Sequence, residues 1–85
     1  MLNKEEIVFN CRSLVDTWLS DIKDVSDVWI EMCGNGMSDT HKCTLENCGE
    51  VIGGLLYDNN GKYDRLDFYG KVNGVKKNIG SIDII

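Results

Sequence analysis

The stretch from Glu50 to Ile85 constrains this chain more than any other, because it carries two Asn-Gly steps among apolar residues, Asn60-Gly61 and Asn73-Gly74. Asn and Gly tolerate the positive φ that tight hairpin turns demand, so Asn-Gly between alternating apolar residues is the strongest short-range hairpin signal. The stretch reads as three strands, over 50–58, 62–72 and 75–85, joined by Asn59-Asn60-Gly61 and by Asn73-Gly74.

Those turns set a register. Val72 falls opposite Val75, and Tyr57 opposite Tyr63. One face then carries Ile52, Gly54, Leu56, Leu66, Phe68, Val72 and Ile79, without a charge, and belongs against a helix. On that face Gly54 lets a helix approach closely. The other face carries Val51, Leu55, Tyr57, Tyr63, Arg65, Asp67, Tyr69 and Lys71. The last strand holds a phase error, since Ile82 and Ile84 fall out of step with Ile79. One extra residue near Gly80 restores them to the core face, so a β-bulge is expected there.

The N-terminal segment reads as a helix over 4–23. Asn3 and Glu6 fit a capping-box variant, and Glu5 and Glu6 lie at the end where the helix dipole favours negative charge. Ile7, Val8, Cys11, Leu14, Val15, Trp18, Leu19 and Ile22 follow the 3.6-residue period, with Phe9 off the stripe. Over 27–33, Val28, Ile30 and Met32 alternate with Trp29, Glu31 and Cys33, the pattern of a half-buried strand. Gly34-Asn35-Gly36 is its exit, and an irregular hairpin returns over 41–45. Helix and strands in separate runs indicate an α+β class. The expected architecture is one N-terminal amphipathic helix on one face of a four- or five-stranded antiparallel meander sheet, as a single domain over 1–85. No internal repeat stands out.

Composition narrows function more than it defines it. The net charge is −5, with 42% hydrophobic and 27% charged residues, an ordinary globular balance. An acidic chain without a basic run lacks the electrostatic footprint for nucleic acid. No segment reaches the roughly 20 apolar residues of a membrane span. The charged start, Met1-Leu2-Asn3-Lys4-Glu5-Glu6, is unlike a signal peptide, which places the chain in the cytoplasm with its cysteines reduced.

Catalytic chemistry finds little footing. His41 is the only histidine, and no third group orients a Cys–His pair. Neither an enzyme nor a cofactor is expected. Cys33, His41, Cys43 and Cys48 have metal-ligand side chains, but Cys33-x7-His41 does not match zinc spacing. The reading that remains is protein–protein binding, through the tyrosine-bearing sheet face or the acidic helix surface. Tyrosine and arginine are enriched at interface hot spots, and a two-fold homodimer is the commonest self-association. Inhibitors, immunity or anti-defence factors and adaptors share this size and charge. The alternative is a small-molecule or zinc module centred on 33–48.

Overall fold

The structure, a computed structural model, describes residues 3–59 and 61–84. They form helix α1 (Lys4–Leu19), strands β1 (Val25–Gly34) and β2 (Met37–Lys42), helix α2 (Cys48–Tyr57), and strands β3 (Arg65–Val72) and β4 (Val75–Asp83). The strands make one antiparallel sheet in the order β2-β1-β3-β4. The fold is α+β. Its order departs from a meander because α2 carries the chain across, so that β3 lies beside β1 rather than β2.

Helix α1 starts as its sequence dictates, with the Glu6 amide donating to Asn3 Oδ1 at 2.9 Å. It ends at Leu19, short of 23, where the Ser20 amide and hydroxyl both turn back to the Thr17 carbonyl. Cys11 and Val15 are buried, Ile7, Trp18 and Leu19 pack beside them, and Phe9 is exposed.

Strand β1 alternates as expected, burying Val28, Ile30 and Met32. Its hairpin to β2 is tighter than the sequence suggests. Asn35 (φ 52°) and Gly36 (φ 76°) are both left-handed, so pairing resumes at once with Gly34 opposite Met37. The return strand is therefore 37–42, not 41–45. Its polar residues are tolerated because β2 is an edge strand.

The larger correction concerns 50–58, which is helix α2 and not a strand. Cys48, Val51, Ile52, Leu55 and Leu56 recur at helical spacing, and Cys48 and Ile52 reach the core. Thr44 and Asn47 exchange amide-to-side-chain hydrogen bonds at 2.7 and 3.1 Å, turning the chain into the helix. A Cβ on Gly49 or Gly53 would come within 2.8 Å of Arg12 or Val8 of α1, so these glycines permit the close helix–helix contact. Gly54 has nothing within 4 Å and does not serve the close approach expected of it. The expected turn at 59–61 is instead the link from α2 to β3, its middle residue, Asn60, lying outside the described residues. In that link Asn59 Oδ1 accepts from the amides of Lys62 and Tyr63.

The other two sequence turns hold. Asn73 (φ 54°) and Gly74 (φ 80°) close the β3–β4 hairpin with Val72 opposite Val75. The register then slips by one residue, since Tyr69 faces Asn78 while Phe68 faces Gly80, leaving Ile79 extra. This is the expected bulge. It returns Ile82 to the core face opposite Leu66; the end of the expected strand, Ile85, lies outside the described residues.

Both helices cover one face of the sheet, and the Cα envelope is only 17 Å deep, the thickness of one helix layer on one sheet. The topology is two αββ units joined side by side through their first strands, with the fully buried Ile30–Phe68 pair at the centre.

Adjacent glycines test this arrangement. Gly54→Ala should stabilise the protein by about 0.5–1 kcal/mol, the usual gain in a helix interior. Gly53→Ala should destabilise it by about 1–3 kcal/mol through overpacking on Val8. Urea denaturation reads both, and the opposite order would refute α2.

Candidate functional site

Two helices seal one face of the sheet, which leaves the other as the only broad surface built by all four strands among the described residues. Alternation puts Trp29, Glu31 and Cys33 of β1 on that outer face. Across the ladder they meet Tyr69, Asp67 and Arg65 of β3. Lys42 and Thr40 of β2 lie beyond Trp29 and Glu31, and Ser81 of β4 lies beyond Asp67.

The centre of the face is aromatic. Trp29 and Tyr69 stack with ring centroids 6.0 Å apart and planes 17° apart. Lys76 Nζ lies 4.6 Å from the Tyr69 centroid and 5.8 Å from that of Trp29. The same ammonium is 3.4 Å from Glu31 Oε2, which accepts from Trp29 Nε1 at 2.8 Å. A cation over an aromatic face gains about 0.5–1 kcal/mol at an exposed site. The cluster therefore holds two central strands and one edge strand in a defined surface pattern.

Below it lies a second polar group. Asp67 is buried although it points to the outer face, and its Oδ1 accepts from Arg65 Nε at 2.8 Å and Ser81 Oγ at 2.6 Å. Burial alone would raise this carboxyl, but the donors Arg65 and Ser81 outweigh it and hold Asp67 below the ordinary carboxylate range.

At the opposite end of β1 the strand bulges. Ser26 faces Lys71 and Trp29 faces Tyr69, so Asp27 and Val28 together stand against Gly70, and Asp27 takes a left-handed φ of 47°. A shallow recess of about 500 Å³ opens there, its walls including Asp27, Trp29, Thr40, Lys42 and Lys71.

Of the eight partner-binding residues expected from the sequence, Arg65, Asp67, Tyr69 and Lys71 lie on this face. Val51, Leu55 and Tyr57 do not, because the segment from 50 to 58 is helical, and Tyr63 does not, because β3 begins only at Arg65 rather than at 62. Val51 and Leu55 pack against the core, and Tyr57 is exposed at the end of α2 with Lys4 Nζ 5.9 Å from its ring. Tyr63 also packs against the core, its hydroxyl donating to Asp39. The sequence reading missed Trp29, Glu31, Lys42 and Lys76. Trp29 and Glu31 already stood off the core phase of β1, but nothing local paired that strand with Tyr69.

The zinc set is not assembled. Cys33 lies on the outer face opposite Arg65, whereas Cys48 is buried among the helices, and the sheet separates them. Among the described residues no three His, Cys, Asp or Glu side chains gather as a metal site. Burial, followed by the charge of neighbouring Cys48, pushes the Cys43 thiol up to about 11. Burial likewise raises Cys11 and Cys48.

Fold and face together define an α+β protein with one sheet surface left open. No family model, curated protein or solved structure matches the chain. Among the described residues no helix is long and apolar enough to cross a membrane.

Two outcomes follow from the titrating groups. Because the folded Asp67 carboxyl sits below its unfolded value of about 3.9, its stabilisation is complete above that pH. It is lost as pH falls through the folded value. Thermal melts should thus show an acid-side loss that Asp67→Asn diminishes. Thiol labelling at pH 8 should modify Cys43 about a hundredfold more slowly in the folded chain than in the urea-unfolded chain, because so little of the folded thiol is thiolate.

Proposed function

We propose that this chain acts by binding another protein through the outer face of its sheet. The observation that carries the reading is the Trp29–Tyr69 pair, held under Lys76 at the centre of the open face. Rigid aromatics at the middle of a surface with charges around them are the usual anatomy of an interface hot spot. The face is polar enough to remain in water between encounters, since Glu31, Asp67, Arg65 and Lys76 satisfy one another. A role as inhibitor, immunity or anti-defence factor or adaptor in the cytoplasm fits a small acidic binder better than catalysis does. A second copy of this chain is one partner the face could take. The acidic helix surface is the lesser candidate, because Arg12 already engages Glu50 there and Lys4 sits by Tyr57.

The test uses the wild-type chain, Trp29→Ser/Tyr69→Ser and the exposed-site variant Lys71→Glu as immobilised baits in extract of the cells that carry the gene. Circular dichroism checks their folding, and light scattering reads self-association. The wild type should retain a protein, or its own copy, at least about tenfold better than either variant, the loss of roughly 1.4 kcal/mol. Equal retention by all three folded baits would refute this face as the binding surface.

A further inference from the structure

The cations of the outer face are not equivalent. Lys76 is committed to Glu31 at 3.4 Å and Arg65 to Asp67 at 2.8 Å. Lys42 and Lys71 have no carboxylate within 4.0 Å among the described residues, yet both line the recess beside Trp29. They come from different strands, Lys42 opposite Trp29 on β2 and Lys71 opposite Ser26 on β3, with the Asp27–Val28 bulge holding the recess open. We propose that this recess takes a single carboxylate, presented by an extended segment of the partner protein, with the neighbouring apolar side chain of that segment lying on Trp29. The assignment rests on the docking function proposed above and names the chemistry of its partner.

The charge count selects a monoanion. The charged residues at the recess are Lys42, Lys71 and Asp27, a formal sum of one positive charge, which one carboxylate neutralises and a phosphate dianion exceeds. Thr40 adds a hydroxyl donor at the same wall. A nucleic acid strand fits poorly. It needs a continuous track of cations, and here Glu31 and Asp67 interrupt the track. The chain's net charge of −5 repels a uniformly acidic partner, so the carboxylate belongs to a local acidic residue on a neutral or basic surface.

The probe is the blocked peptide Gly-Leu-Glu-Leu-Gly, compared with its Gln counterpart, inorganic phosphate and oligothymidylate. The readout is the backbone amide resonances of Trp29, Thr40, Lys42 and Lys71 and the Trp29 indole. The Glu peptide should shift these signals saturably, with the Gln peptide about fivefold weaker, the scale of an exposed ion pair. Lys42→Gln/Lys71→Gln should remove the difference between the peptides. Asp27→Asn, which keeps a residue suited to positive φ, should tighten binding about two- to threefold. Equal response to both peptides, insensitivity to the lysine changes, or tighter binding of phosphate or oligothymidylate would each overturn the assignment. If the peptide fails while the wild-type bait still retains a partner that Trp29→Ser/Tyr69→Ser loses, the carboxylate falls and the docking face stands.

Discussion

The indole of Trp18 rests on the sheet over Gly80, where β4 has no side chain. A Cβ on Gly80 would come within 2.2 Å of Trp18 Cδ2, and the same ring stacks 6.1 Å from Phe68. This contact locks α1 to β3 and β4 at once, and everything on the outer face depends on it. Side chains alternate along a strand, so a slip of one residue in β3 would exchange Phe68 for Tyr69 and Leu66 for Asp67. Such a slip would bury a tyrosine and a carboxylate and expose the two largest members of the core. The open face is thus specified from behind.

The bulge at Ile79 is part of the same constraint. Ile79 Cδ1 would lie 2.8 Å from a Cβ on Gly70, so two glycines on neighbouring strands receive two large side chains, one from α1 and one from β4 itself. Paired small and large residues of this kind permit only one superposition of layers. They also break the symmetry that the topology offers. The two αββ units share strand order and Asn-Gly turns, but α1 has 16 residues and α2 has 10, and only α1 supplies an aromatic to the sheet. An architecture that repeats can therefore carry a sequence without a visible repeat, because each half packs by different residues.

What was legible in the sequence divides along locality. Asn3, the stripe of Ile7, Cys11, Val15, Trp18 and Leu19, the Val28–Met32 alternation, Asn73-Gly74 and the phase error before Ile82 are signals within one element or one turn, and each has its counterpart in the structure, whereas Leu14, expected on the same stripe, is exposed. Helix α2 was hidden because Val51-Ile52-Gly53-Gly54-Leu55-Leu56 has β-branched residues and little polarity, which favour a strand, and two glycines, which disfavour a helix. Its helical spacing from Cys48 was present. What decided between the two was outside the segment: the backbone of Val8 occupies the space beside Gly53, and β1 takes the sheet position next to β3. The candidate site split in the same way. Arg65, Asp67, Tyr69 and Lys71 share one strand and were legible together, while Trp29 and Lys42 join them only through pairing across some forty residues. No local pattern contains that pairing.

The thinness of the molecule bears on how an acidic chain can present a cationic spot. Glu5, Glu6, Asp16 and Glu50 are exposed on the helices, on the far side of the sheet from Lys42 and Lys71. The envelope is 17 Å deep, about twice the Debye length of ~8 Å at physiological ionic strength. Charges on the helix layer are then largely screened at the outer face, where the near charges of Lys42, Lys71, Lys76, Glu31 and Asp27 dominate. The net charge of −5 acts at longer range and weaker salt, discouraging polyanions before contact. Discrimination is thereby split by distance. On the docking function proposed above, the whole chain would select against acidic surfaces and the recess for an acidic residue once the surfaces meet, a combination that neither charge pattern would produce alone.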